Sequence, residues 1–311
     1  MLTILIIVAP VFALVATGYL AVRFGAFPRT GVSGLITFVN NFAVPCLLFR
    51  AMLDIDFAAV FNPAMIAGYY ISALATLAFA IFVARAVFRN RPGEAVATGF
   101  SGVFSNTVLL GLPIVQRAYG EDVLPIMYSI IGFHAPILMT VSLITMEISR
   151  RDGVSPGTVA VTAIKRVFTN PLLIGIGLGL VGNLFNLTLI EPVDAFTRMM
   201  TQAVLPAALF GLGGALNEYR VRENLLLSGT MSAIKLLLLP AIVYVLVIGV
   251  FHVDPMIARI AVITAAMPSG INVYVFATSY SRSVDVAASS ILITTAMSVL
   301  TVSFWLFVFH L

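Results

Sequence analysis

Two polar interruptions inside otherwise apolar segments hold the residues best suited to chemistry. The first is Ser105-Asn106-Thr107, followed by Gly111-Leu112-Pro113. The second is Pro268-Ser269-Gly270, followed by Asn272. Each begins roughly 18 Å into its segment if the chain rises 1.5 Å per residue as a helix. Pro268 cannot donate to the carbonyl of Thr264, and its ring crowds that turn. A break of this kind starts a new half-helix, for which asparagine, threonine and serine are suitable N-caps. A helix N-terminus carries about half a positive charge and offers free N–H groups. Two such termini meeting at one depth would hold a small anion, although the opposing C-termini partly offset the field. The competing account is a pair of ordinary proline kinks between packed helices.

Other polar groups lie at similar depth. Lys235 sits inside an apolar segment, where a lysine costs at least about 2.5–3.5 kcal/mol. It could meet a substrate carboxylate, stand where a related carrier binds a cation, snorkel to an interface or lose its proton. His134 reads as a hydrogen-bonded packing residue or a proton relay. Asn40 and Asn41 precede Pro45, and Gln202 precedes Pro206. These three either line a pocket or satisfy carbonyls freed by the prolines.

Catalysis is not indicated. No nucleophile stands with a positioned base. The 13 carboxylates fall in loops or near segment ends, so a pump built on a buried carboxylate lacks its group. The single cysteine, Cys46, excludes an internal disulfide and a cysteine-based zinc cluster. The sequence requires no metal and no cofactor. A formal charge of +4 is too small and dispersed for nucleic acid.

Composition says what must position these residues. The chain is 60% hydrophobic and 10% charged, against about 25% charged in soluble domains. A span needs about 20 apolar residues. Ten candidates are expected: 2–22, 31–52, 63–88, 95–117, 123–147, 167–188, 195–217, 224–250, 256–280 and 286–309. The first lacks a basic leader and is expected to be retained, not cleaved. The connections after spans one, three, five, seven and nine hold 12 basic residues and the opposite side holds 4. That bias places both termini on the non-cytoplasmic side, in the membrane expected here, a bacterial inner membrane.

Landmarks recur 161 residues apart: Pro10 with Pro171, Pro45 with Pro206, Tyr119 with Tyr280, and Gly18 with Gly179. The same offset sets Pro268 against Thr107. The spacing divides the chain into a first repeat over 1–149, a cytoplasmic connecting loop over 150–164 and a second repeat over 165–311. Five spans per half is an odd number, so the second half enters from the opposite face. The fold class expected is an all-α polytopic membrane protein of ten transmembrane helices, as two inverted five-helix repeats with crossed broken helices four and nine. Gly175 and Gly179 in span six permit close helix contact, which could serve a dimer.

Asn106-Thr107, Gly111-Leu112-Pro113 and Tyr119-Gly120 resemble the "NTxxxGxP…YG" pattern of the auxin efflux carrier family, which includes PIN-FORMED carriers and bacterial malonate-transporter-like members. Pro268, Gly270-Ile271, Val275-Phe276-Ala277 and Tyr280 resemble its "PxGIxxxVFAxxY" segment, and Lys235 with Pro240 its "K…LP" pattern. The resemblance covers essentially the whole chain, without the long loop of many plant members. It implies a scaffold from spans one, two, six and seven and a transport unit from spans three to five and eight to ten. It also implies a substrate site at the crossed spans with Asn106 in it, and often a homodimer joined through the scaffold helices. The function expected is secondary transport of a small organic anion, a mono- or dicarboxylate that is malonate- or auxin-like, by an elevator movement in the lipid bilayer. The residues expected at the substrate are Ser105, Asn106, Thr107, Pro113, Lys235, Pro268, Ser269, Gly270 and Asn272, with Asn40, Asn41, Gln202 and His134 as further lining. The alternative is an anion channel or a non-transporting ligand-binding receptor.

Overall fold

In hydrocarbon every backbone N–H and C=O must be paired within the protein, and a helix does this inside one segment. The computed structural model of the chain is accordingly helical. It describes residues 2–53, 61–150, 161, 169–218 and 224–310. Among these there is no β-strand, only one isolated antiparallel bridge between Ser105 and Ser269. The connecting loop expected over 150–164 lies almost wholly outside the described residues, as do Arg151, Lys165, Arg166, Arg220 and Arg222 of the orientation argument.

The elements in chain order are α1 (Leu2–Arg23), α2 (Arg29–Leu53), α3 (Pro63–Ala86), α4 (Pro92–Ser101), α5 (Leu112–Tyr119) and α6 (Leu124–Arg150). Then come α7 (Pro171–Leu184), α8 (Glu191–Ala215), α9 (Leu225–Val250), α10 (Pro255–Ala265), α11 (Asn272–Tyr280) and α12 (Val284–Val308). Among the described residues six helices are long and apolar enough to cross a membrane by themselves: α1, α2, α3, α6, α9 and α12. The other four expected spans differ for physical reasons. Helix α7 has 14 residues, or about 21 Å of rise. Helix α8 opens with Glu191 and Asp194 and is more polar. The fourth and ninth are each split, into α4 with α5 and into α10 with α11.

Of four π-turns among the described residues, three share one cause; the fourth, Val245–Val250 in α9, has no proline two residues after it. A π-turn ends two residues before a proline at Val39–Ala43 with Pro45, at Thr107–Gly111 with Pro113, and at Ile234–Leu238 with Pro240. A proline ring clashes with the carbonyl four residues back. Widening the turn to an i→i+5 bond relieves that contact, and such bulges collect at functional sites. These turns carry Asn40, Thr107 and Lys235.

Helix α1 packs along α8, and α7 packs along α2. Both contacts are backbone-close. A Cβ at Gly18 would overlap the carbonyl oxygen of Phe210, and one at Gly179 would overlap the carbonyl oxygen of Phe49. Gly18 stands 161 residues before Gly179, and Phe49 stands 161 before Phe210. The two contacts therefore exchange under the offset that the sequence displays. At the N-terminal end of α8, Arg50 of α2 donates to Asp194 Oδ1 at 2.6 Å and Thr197 Oγ1 at 2.8 Å.

Candidate functional site

The two broken crossings meet. Asn106 N donates to Pro268 O at 2.7 Å, and Gly270 N donates to Phe104 O at 3.0 Å. This pair of bonds flanks the Ser105–Ser269 bridge. The pattern is symmetric about that bridge, so the bridge equates Ser105 with Ser269, residues 164 apart. The sequence offset of 161 had set Thr107 against Pro268. The register at the crossing is thus three residues away from the one seen elsewhere.

Every unwound N–H of the bridge finds an acceptor. Ser105 N donates to His134 Nε2 of α6 at 3.0 Å, and Ser269 N donates to Thr294 Oγ1 of α12 at 3.0 Å. The last carbonyls of the half-helices are also paired. Ser269 Oγ donates to Ser101 O, the final carbonyl of α4, at 2.8 Å. At the end of α10, Ala266 N donates to Val262 O and Ile263 O, Met267 N donates to Thr264 O at 3.4 Å, and Lys235 Nζ donates to Ala265 O at 2.7 Å. A buried helix end without such partners would cost several kcal/mol per orphan group. This pairing is what lets the backbone unwind inside an apolar interior.

The half-helix N-termini are treated differently. Asn106 Oδ1 accepts from Leu109 N at 3.2 Å and caps the turn leading into α5. No side chain caps α11; Ser269, a plausible cap from its type, is turned to α4 instead.

Two adjoining cavities lie against the crossing. The smaller, about 60 Å³, is lined by Asn40, Thr107, His134, Gly270 and Asn272 among others, and by both Ser105 and Asn106. The larger, about 370 Å³, lies between α6, the start of α7 and α11, with Met139, Leu143, Phe276 and Asn170 in its wall. Asn272 and Ala135 belong to both. Neither lining includes a carboxylate, a lysine or an arginine among the described residues.

The structure therefore gathers Ser105, Asn106, Thr107, Gly270, Asn272, Asn40 and His134 around one space. Pro268 and Ser269 build the crossing without lining that space, and Pro113 is buried in the first turn of α5. Lys235 is fully buried at the end of α10 and lines neither cavity. Asn41 and Gln202 are exposed and line neither. Sequence reading did not find Thr294, whose hydroxyl holds Ser269. Its only signal was a threonine deep in an apolar segment, and α12 also buries Ser289, Ser290, Thr295 and Ser298.

A family model described as "Membrane transport protein" matches residues 3–306. A "Putative malonate transporter" of Rhizobium meliloti is 27% identical over 301 residues, covering 96% of this chain and 93% of that protein. The "Auxin efflux carrier component 8" of Arabidopsis thaliana is 21% identical, covering 91% of each. The "Lysosomal cholesterol signaling protein" of Mus musculus is 26% identical over 96% of this chain and 37% of its own length.

Proposed function

We propose a specific mode of transport from one premise: the chain belongs to the membrane transport protein family and is a membrane transporter. In our reading it is a secondary carrier of a small organic anion, and the anion binds at the crossing of the two broken helices. The observation that carries this reading is the unequal treatment of the half-helix ends. The N-terminal ends at Thr107 and Asn272 face the smaller cavity, where backbone N–H groups and the helix dipole favour negative charge. The C-terminal ends are closed by side-chain donors, Ser269 on α4 and Lys235 on α10. When protonated, Lys235 also adds a positive charge behind the crossing and reduces the offset expected from opposed dipoles on that side.

The cavities suit a molecule with a carboxylate head near Asn106, Thr107, Asn272 and Asn40, and a body extending toward Met139 and Phe276 of the larger space. Malonate- and auxin-like acids both belong to this class, and the names of two relatives, the malonate transporter and the auxin efflux carrier, support it.

The movement we propose is an elevator. The scaffold comprises α1, α2, α7 and α8, and the transport unit comprises α3 to α6 and α9 to α12. The exchange of Gly18–Phe210 with Gly179–Phe49 supports two inverted repeats, 1–149 and 165–311, locked through the scaffold. Scaffold faces bearing Ile174, Leu178 and Val181 are exposed and suit lipid or a homodimer partner. The orientation with both termini outside a bacterial inner membrane remains part of this proposal.

The test is uptake of labelled malonate and phenylacetate into proteoliposomes. Saturable uptake by the wild-type protein, lost in a folded Asn106→Ala variant, is the expected result. Uptake unchanged by that substitution would remove the crossing from the pathway, and a non-saturating flux would indicate a channel.

A further inference from the structure

We infer that His134 is the side chain that reads the substrate carboxylate, presenting a fixed Nδ1–H donor at the crossing. This rests on the anion-carrier reading above and adds to it the group that selects an ionised acid.

The tautomer follows from one hydrogen bond. Ser105 N donates to His134 Nε2 at 3.0 Å. A backbone N–H can only donate, so Nε2 must keep its lone pair. The proton of the neutral ring is then on Nδ1. The ring cannot turn freely to exchange its nitrogens. It is 2% exposed, with the Phe104 ring at 4.7 Å and the Tyr69 ring at 6.1 Å between centroids. A flip would also strip the acceptor from Ser105, the residue that bridges to Ser269.

Nδ1 is buried without a hydrogen-bond partner, and so is Nδ2 of Asn106. Buried donors in folded proteins are almost always paired. Here these two unpaired donors, and with them the unpartnered Ser105 hydroxyl, belong to residues that line the same small cavity. The Asn106 amide cannot exchange its oxygen and nitrogen, because Oδ1 is already committed to Leu109 N. A carboxylate has two acceptor oxygens and no proton to offer, so it completes both donors at once. A protonated amine brings only donors against them, and a neutral amide offers one uncharged acceptor oxygen where a carboxylate offers two charged ones. Recognition would therefore use neutral donors, with Lys235 held apart on the Ala265 carbonyl.

The experiment uses the full-length purified protein labelled with ¹⁵N-histidine. The chain has only three histidines, so His134→Gln assigns the His134 signals by their loss. The expected spectrum has His134 neutral with its proton on Nδ1, and saturating phenylacetate or malonate moves Nδ1 far more than Nε2. His134→Gln, which keeps one acceptor and one donor, retains binding. His134→Phe weakens binding at least about tenfold, as expected for removing a donor to a charged group. An Nε2–H tautomer, an Nδ1 signal unmoved by a bound acid, or wild-type affinity in His134→Phe each overturns the role of His134 while leaving the carrier reading in place. Failure of the wild-type protein to bind either acid overturns both. If His134→Phe does not fold, the tautomer and the Nδ1 response of the wild-type protein still decide.

Discussion

Arg117 Nη2 at the end of α5 donates to the carbonyl oxygen of Ile6 in α1 at 3.1 Å, and its Nε donates to Ile7 O at 3.2 Å. Pro10 explains why Ile6 is available. It lies inside α1 and has no N–H for the carbonyl four residues back. A guanidinium from the broken crossing thus replaces a missing helical donor in another helix. By the 161-residue offset the counterpart of Arg117 is Thr278, whose hydroxyl is turned to Tyr274 O and Val275 O of its own helix.

Pro10→Ala and Arg117→Ala are therefore expected to couple. Arg117→Ala in the wild-type background should cost about 0.5–1.5 kcal/mol, the net worth of an ordinary hydrogen bond. In the Pro10→Ala background the substituted residue itself supplies an N–H to the Ile6 carbonyl, and the cost should shrink. A double-mutant cycle read by thermal unfolding in detergent measures the difference. Equal costs in both backgrounds would show that Arg117 does not act through Ile6.

Glycine substitutions should change sign with position. Gly18→Ala and Gly179→Ala push a methyl into the carbonyls of Phe210 and Phe49. Overpacking costs typically 1–3 kcal/mol, roughly, against a helix-propensity gain of up to about 1 kcal/mol. Both variants should be less stable. Gly177, in the same helix as Gly179, has nothing within 4 Å of a Cβ, so Gly177→Ala should keep or raise stability. The unfolding midpoints of the three purified variants provide the check.

Thr294→Val should weaken the crossing at nearly constant shape. Valine fills the space but removes the acceptor for Ser269 N. An orphaned buried N–H costs about 1–3 kcal/mol, and Thr294→Ser should recover most of it. Hydrogen exchange at Ser269 and Gly270, faster in the valine variant only, is the local signature. Unchanged exchange would mean that Ser269 N is held by some other group.

Lys235→Met separates stability from binding. Removal orphans the Ala265 carbonyl, at about 1–3 kcal/mol. It also removes a fully buried amine, whose charged form costs several kcal/mol, roughly, to desolvate. The second effect is larger, so the methionine variant should be at least as stable as wild type. Its affinity for organic acids should fall severalfold, because the charge behind the crossing is gone. Affinity equal to wild type would show that Lys235 serves only as a helix cap.

The break in each crossing was legible in the residues, because proline and glycine act on their own turn whatever surrounds them. Asn106 as a cap was legible for the same reason. Ser269 was not: its type suits a cap, yet its hydroxyl goes to Ser101 O, 168 residues away in sequence. Three of the four π-turns follow from prolines visible in the sequence, but a proline alone does not say whether the helix will kink, break or widen.

By itself the sequence determined the helical membrane character of this protein, the positions of its two interruptions and its family. These depend on local quantities: apolar length against bilayer thickness, backbone propensity, and motif spacing. Only the tertiary structure decided which donor meets which carbonyl. It set the three-residue shift of register at Ser105 and Ser269, turned Lys235 to Ala265, and left His134 and Asn106 each with an unused donor. Those outcomes depend on distances between residues remote in the chain, which are fixed only once the helices pack.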